Sequence, residues 1–210
     1  MSLEEKRKQI LQLFDEKICK HIIGDLNILD GIQPETHVSG CTIPTAMLIL
    51  TSLDFIGYLL RRSGKLDETE VNLASAFKYN GLFPSTYSDD VIQKISHFYR
   101  HGMMHSFYPR QTSGQIYAIH KSNGSLLFEQ ANSNGVPVTS LNVNVLSSDF
   151  KNFINQLYDE IKITQDEALL DQMLKTFKDI RPDSIFTSSL TTSTTTTTEA
   201  TSSFGVVANK

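Results

Sequence analysis

The sequence lacks the short motifs that mark several common classes of active site. Its 210 residues include two cysteines, Cys19 and Cys41, and neither belongs to a Cys-x-x-Cys pair. There is no GxxxxGK[ST] or GxGxxG phosphate loop, no G-x-S-x-G nucleophile turn and no HExxH zinc motif. These absences disfavour P-loop and dinucleotide-binding enzymes, α/β hydrolases and zinc peptidases.

An excess of positive charge is also missing. The chain carries 19 Lys and Arg against 23 Asp and Glu, which gives a formal net charge of -4. Proteins that bind duplex nucleic acid over a broad surface usually have a basic face and a high pI. We therefore expect at most a local basic cleft, and any RNA-directed function must depend on such a cleft.

No long uninterrupted apolar run is present. The most apolar stretch, 43–60, is interrupted by proline and polar residues, namely Pro44, Thr45, Thr51, Ser52 and Asp54. A membrane span needs about 20 nearly uninterrupted apolar residues, so this stretch predicts a core helix. The charged N-terminal segment is typical of a helix start and not of a signal peptide. With only two cysteines, these features predict a cytoplasmic protein, and they leave open a disulfide between the two.

Helical periodicity dominates the first half of the chain. Apolar residues recurring every four positions predict a first helix over 3–29. A second helix, with Thr42 as its N-cap and Gly64 after its end, is apolar around most of its circumference and should be central. A third is predicted over 67–79, and a fourth begins at an N-cap, Ser88, and ends by the proline at position 109. The third helix should direct three side chains inward: Val71, Ala74 and Phe77.

The second half combines strands with two further helices. Period-two patterns at 115–120 and 125–129 flank an Asn-Gly pair at 123–124, which predicts a β-hairpin. A third strand is predicted at 141–145. Helical spacing returns at Phe150, and a capping-box pattern formed by Thr164 and Glu167 opens the last helix.

The predicted fold is therefore mainly α. It is a bundle of four to five helices with a small antiparallel β-hairpin or three-strand element and two C-terminal helices. We expect one domain over 1–182. Residues 183–210 are rich in Thr and Ser, which predicts a disordered tail. A short apolar patch at 204–207 is either part of a frayed terminus or a docking peptide.

Ionisable side chains concentrate at 99–106, near the end of the fourth helix. Arg100, His101 and His105 lie in this segment. A guanidinium can bind a phosphodiester through two hydrogen bonds, and an imidazole titrates near neutrality and can transfer a proton. RNA carries its own nucleophile, the 2′-hydroxyl, so its cleavage requires neither a metal nor a covalent enzyme nucleophile. The segment therefore predicts RNA chemistry.

Arg100, four intervening residues and His105 resemble the R-x4-6-H motif of the HEPN superfamily of prokaryotic ribonucleases and toxins. A polar residue tends to follow the arginine in that family, and His101 fits. The resemblance covers about the first 109 residues and implies a helical bundle. It also implies a homodimer in which two motifs meet at one composite RNA-cleaving cleft. There Arg100 contacts the scissile phosphate, His105 positions or deprotonates the 2′-hydroxyl and His101 supports them.

In functional terms the resemblance implies a metal-independent endoribonuclease with no cofactor and with a toxin, defence or stress role. Its expected partners are RNA, a second copy of the chain and a cognate antitoxin protein. Tyr108, Arg110 and Lys121 are candidates for binding the RNA strand. Asp54 and Ser52 are polar positions in the apolar central helix. Asp54 could pair with the motif arginine, and the alternative for both residues is an ordinary helix surface or a satisfied core contact.

Other interpretations of the same residues stay open. Arg100 and His105 could be structural, with the cation capping the carboxyl end of its helix. His97, His101 and His105 share one helical face, and two of them could bind zinc. The outer pair is about 12 Å apart along a helix, so all three cannot share one ion. A non-catalytic helical module that binds a protein or nucleotide is the main rival. A solvent-reachable cleft shared by Arg100 and His105 would favour the enzyme, and separate local partners would favour the module.

Overall fold

Helices form most of the structure, a computed structural model that describes residues 1–33, 40–61, 65 and 67–180. The bounds are Leu3–Leu13 (α1), Phe14–Ile23 (π), Gly24–Gly31 (α2), Thr42–Leu60 (α3), Thr69–Lys78 (α4), Tyr79–Gly81 (3-10), Asp89–Lys94 (α5), Ile95–Arg100 (π), His101–Ser106 (α6), Val143–Ile163 (α7) and Glu167–Ile180 (α8). The predicted first helix consists of α1 and α2 joined by π-helical turns, and the predicted fourth consists of α5 and α6 joined in the same way. The predicted third, α4, ends in a 3-10 turn. The predicted mainly α class, with two C-terminal helices, is confirmed.

The small β element is a mixed three-stranded sheet, and the predicted hairpin is wrong. Its strands are Ile116–His120 (β1), Leu127–Ala131 (β2) and Pro137–Asn142 (β3), in the order β1-β3-β2. β1 pairs with β3 in parallel and β2 pairs with β3 antiparallel. β3 takes the centre because five of its six residues are buried, whereas four of the five in β2 are exposed.

The observed hairpin is made at a different Asn-Gly pair from the predicted one, namely Asn134-Gly135. Asn132 begins the turn between β2 and β3, where its backbone amide donates to the Val136 carbonyl oxygen at 2.9 Å. Gly135, with φ of 76°, supplies the left-handed conformation that this turn needs. Gly124 has φ of 141°, and Asn123 has no positive φ, so the pair at 123–124 does not form a two-residue hairpin turn.

Several helix boundaries and faces also differ from the prediction. Cys41, in the left-handed region with φ of 57°, is the N-cap of α3 in place of Thr42. Val71 is 50% exposed, since the buried face of α4 is formed by neighbouring positions. Asp166 accepts from the Leu169 amide at 3.0 Å and so begins α8, a role predicted for Thr164. Residues 143–145 belong to α7 and not to a strand.

The central position of α3 is confirmed. Its buried residues occur on all sides of the helix, and it contacts α2, α4, α6, α7, α8 and β1. Of the described helices, only α3 has the length and hydropathy of a membrane span. However, 61% of its apolar window is buried inside the protein, as in a core helix.

The C-terminal helices belong to the same core as the first helix. Buried side chains of α7 and α8, such as Phe153 and Leu170, lie in one apolar cluster with those of α1 and α3. Lys6, only 8% exposed, joins α1 to α8 through ion pairs with Glu167 at 2.7 Å and Asp171 at 2.6 Å. Cys19 and Cys41 are not bonded to each other. The Gly64 helix end and the predicted disordered tail lie outside the described residues.

Candidate functional site

The helix that carries the motif runs from Asp89 to Ser106, and the sheet holds it in place. Ser88 caps its start by accepting from the Val91 amide, as predicted, and Phe107 ends it with φ of 60°. Tyr99, fully buried, donates from its hydroxyl to the Thr139 carbonyl oxygen of β3 at 2.7 Å. These contacts fix which sides of the helix face the core and the solvent.

The inner side of this helix carries Arg100, which pairs with Asp54 of α3. Nη2 of Arg100 lies 2.8 Å from Oδ2 of Asp54, and the two side chains are 18% and 11% exposed. The predicted pairing is therefore confirmed. Asp54 also accepts from the side-chain nitrogen of Asn72 at 3.1 Å, and the side-chain oxygen of Asn72 accepts from Arg61 at 2.7 Å. Arg100 thus ends a mostly buried polar chain that links three helices.

This pairing directs the guanidinium toward α3. The Nε atom of Arg100 is buried and finds no hydrogen-bond partner among the described residues. A buried donor without a partner costs about 1–3 kcal/mol. The ion pair with Asp54 is a local contact of the kind expected if Arg100 has a structural role.

The outer side of the same helix carries three histidines in a row. The ring centroids of His97 and His101 are 6.3 Å apart with nearly parallel planes, and those of His101 and His105 are 4.4 Å apart. His101 and His105 are both exposed. In the described part of the chain, no group of three or more His, Cys, Asp or Glu is placed to hold a metal ion.

The segment that follows the helix folds back across it at Gly102. The Arg110 amide donates to the Phe98 carbonyl oxygen at 2.7 Å. A Cβ at position 102 would lie 2.3 Å from the Arg110 nitrogen and 2.8 Å from the Tyr108 carbonyl oxygen, both of which are backbone atoms. Only glycine permits this close approach, which sequence reasoning did not anticipate.

The crossing brings a second arginine to the histidines. Nη1 of Arg110 lies 3.3 Å from Nε2 of His97. Because a guanidinium can only donate, Nε2 of His97 must be the acceptor in this contact. Gln111, another residue that sequence reasoning missed, bonds to the backbone of Tyr117 through both its amide atoms, at 2.9 Å each. The fold-back is therefore fixed to β1.

These elements enclose an open cleft of about 520 Å³. Its exposed surface is more apolar than polar, and its lining comprises His101, Gly102, His105, Ser106, Tyr108, Pro109, Arg110 and Gln111. Four of the residues predicted from the sequence are thus brought together: His101, His105, Tyr108 and Arg110. Arg100 does not line the cleft.

Two other predicted residues have separate surroundings. Ser52 is buried and donates to the Leu48 carbonyl oxygen one turn back in α3, at 2.6 Å. Lys121 donates to the carbonyl oxygens of Leu29 at 2.8 Å and Ile32 at 3.0 Å, and so caps the carboxyl end of the first helix. Neither lines the cleft, and both make contacts typical of structural residues.

The electrostatics of the cleft favour a neutral His101. Partial loss of hydration beside the neighbouring rings lowers the pKa of this imidazole from its ordinary value of 6.5, and the positive charges of His105 and Arg110 lower the pKa further. A neutral imidazole near pH 7 can accept a proton.

Comparisons with protein-family models, with curated proteins and with solved structures find no match to this chain.

Proposed function

We propose that the cleft binds single-stranded RNA and cleaves it without a metal, so that the chain is an endoribonuclease of the HEPN type. One observation carries the proposal: two imidazoles, His101 and His105, lie side by side in an open cleft that also contains a guanidinium. Acid–base catalysis of phosphodiester cleavage needs two proton-transfer groups and a cation for the phosphate.

The reaction conserves atoms and needs no co-reactant. The 2′-oxygen attacks the adjacent phosphorus while His101, neutral because its pKa is lowered, takes the hydroxyl proton. The bond from phosphorus to the 5′-oxygen breaks, and His105 transfers a proton to that leaving oxygen. The products are a 2′,3′-cyclic phosphate and a 5′-hydroxyl.

The two arginines have different roles in this proposal. Arg110 lines the cleft and contacts the non-bridging phosphate oxygens, and the exposed ring of Tyr108 stacks on a base. Arg100, the residue to which the resemblance assigns the phosphate, acts as a positioning residue that anchors the helix to Asp54. In the homodimer that the resemblance implies, two such motifs would meet at one composite cleft, and an antitoxin would act by covering it.

The test is cleavage of an end-labelled, mixed-sequence RNA in EDTA. The wild-type chain should cut the RNA and leave 2′,3′-cyclic phosphate ends. Loss of one proton-transfer group should slow cleavage by about 10²-fold or more, so His101→Ala and His105→Ala should be nearly inactive. His21→Ala, which removes an exposed histidine of the first helix, is the matched control and should keep full activity.

A second candidate function, RNA binding without cleavage, is favoured by one observation. Arg100 has a local partner, Asp54, and does not line the cleft that contains His105. Well-folded protein that binds the RNA but leaves it intact would support this module and overturn the ribonuclease. Activity that survives both histidine substitutions would show that the cleft is not the catalytic site.

A further inference from the structure

A second cavity lies over the outer face of the sheet. It encloses about 410 Å³ and is lined by His120, Ser122, Asn123, Gly124, Ser125, Phe128, Gln130 and Ser140. None of the residues that line the first cleft contributes to it. Its floor comes from all three strands, and its wall is the loop at 121–126 between β1 and β2.

A buried asparagine fixes the wall of the cavity. Asn142, fully buried at the end of β3, donates from its amide to the Ser122 carbonyl oxygen at 3.1 Å and accepts from the Ser122 amide at 3.4 Å. The backbone amide of Asn142 donates to the Leu126 carbonyl oxygen at 2.8 Å. Both ends of the loop are thus bonded to one residue, so the cavity is largely formed before any ligand binds.

The floor combines an aromatic ring with neutral polar groups. Phe128 is 49% exposed, and its partner in the antiparallel register is the buried Ser140. Gln130 lies two residues along the same strand and so on the same face as Phe128. An exposed phenyl ring beside amide and hydroxyl groups offers one stacking surface and several hydrogen bonds to the edge of a planar ligand.

The lining carries no charged side chain among the described residues. His120 is its only titratable group, and burial lowers the pKa of this imidazole from its ordinary value of 6.5. Its Nδ1 atom is buried and finds no hydrogen-bond partner in the described structure. A phosphate or carboxylate would meet no counter-charge here, whereas a neutral planar ring needs none.

We propose that this cavity binds one unpaired nucleobase of an RNA strand. The base would stack on Phe128 and pair its edge with Gln130, Ser140 and the loop. This inference rests on the proposed RNA function.

The experiment has two arms. In the first, uridine, cytidine, adenosine and guanosine are titrated separately into 15N-labelled protein, with ribose 5-phosphate as the probe for sugar and phosphate alone. We expect amide shifts at Gly124 and Gln130 with at least one nucleoside and none with ribose 5-phosphate. Shifts confined to the first cleft, or equal shifts with ribose 5-phosphate, would overturn the proposal.

In the second arm, a labelled 2′-O-methyl RNA, which cannot be cleaved, is bound to variants. Phe128→Ala should weaken binding by about fivefold or more, as expected for one lost base–aromatic stack. Gln130→Ala, which changes an exposed side chain, should weaken binding less and tests the edge contact. Ile163→Ala is the control, since Ile163 is an apolar residue that is 75% exposed and lines neither the cavity nor the first cleft.

The arms separate this proposal from the ribonuclease. If nucleosides bind at the cavity but the chain does not cleave RNA, the base site is supported and the ribonuclease proposal is overturned. If the wild-type chain cleaves RNA and Phe128→Ala binds the 2′-O-methyl RNA as tightly as the wild type does, the ribonuclease proposal is supported and the base site is overturned.

Discussion

The two sides of the helix at 89–106 are chemically opposite. The inner side presents Arg100 to a carboxylate, and that ion pair belongs to a mostly buried chain of polar groups. The outer side presents His101 and His105 to a cleft in which Arg110 is the nearby cation. The motif therefore contributes residues with two different tasks: the arginine holds the helix, and the histidines face the solvent.

This contrast explains how an acidic protein can contain a cationic site. The net charge of -4 describes the whole chain, whereas the lining of the cleft includes the guanidinium of Arg110 and no carboxylate. A local positive potential can attract a phosphate backbone even when the total charge is negative. Composition alone is thus a poor argument against RNA binding here.

The largest expected effect concerns the inner side. Arg100→Ala leaves the carboxylate of Asp54, 11% exposed, without its cation, and we expect the free energy of unfolding to fall by about 3 kcal/mol. Arg110→Ala is the matched control. This arginine is exposed, so its removal should change the free energy of unfolding by no more than about 0.5 kcal/mol. Urea unfolding followed by circular dichroism measures both. Equal effects of the two substitutions would contradict the view that Arg100 anchors the helix while Arg110 only lines the cleft.

The next effect concerns the crossing at Gly102. Gly102→Ala places a methyl group against backbone atoms of Arg110 and Tyr108, so the fold-back must move, at a cost of about 1–3 kcal/mol. Gly24→Ala is the control, because a Cβ at this helical glycine would meet nothing within 4 Å. That change should stabilise the protein by about 0.5–1 kcal/mol. Thermal unfolding of the two variants should therefore shift in opposite directions, and a neutral Gly102→Ala would contradict the close approach.

The smallest effect concerns the outer side. The charge of Arg110 helps to lower the pKa of His101, so Arg110→Ala should raise that pKa toward 6.5, as followed by NMR titration of the ring protons. Lys121→Ala is the control, since its ammonium caps the first helix and is not among the charges that lower this pKa. An unchanged His101 pKa in Arg110→Ala would show that the guanidinium does not influence this imidazole.

The same lowered pKa sets the direction of a pH effect. Between the folded-state pKa of His101 and 6.5, the unfolded chain binds more protons than the folded chain. Stability should therefore fall as the pH drops through this window, and less so in His101→Ala.

Sequence reasoning succeeded where the pattern is local and strongly periodic. The central helix was identified by its nearly continuous apolar character, and the pairing of Asp54 with Arg100 by a lone carboxylate in an apolar helix. The hairpin was assigned to the wrong Asn-Gly pair, because turn propensity does not reveal which strand is most buried and takes the centre of the sheet. Val71 was placed inward although the buried face of α4 is formed by the adjacent positions.

The site was predicted in part for a similar reason. Five positions at about 100° each place Arg100 and His105 about 140° apart on a helix, so the spacing itself argued against one shared face. The fold-back that brings Arg110 to the histidines depends on Gly102 and on a hydrogen bond to the Phe98 carbonyl oxygen. Such a long-range crossing has no periodic signature in the sequence.

The most direct test of the account compares one RNA with its fully 2′-O-methylated copy, in EDTA, with the wild-type chain. Both strands should bind with similar affinity, and only the RNA should be cut, because the methylated strand has no 2′-hydroxyl to attack the phosphorus. Binding of both strands with no cleavage of either would contradict the catalytic role of the histidines and leave a binding module.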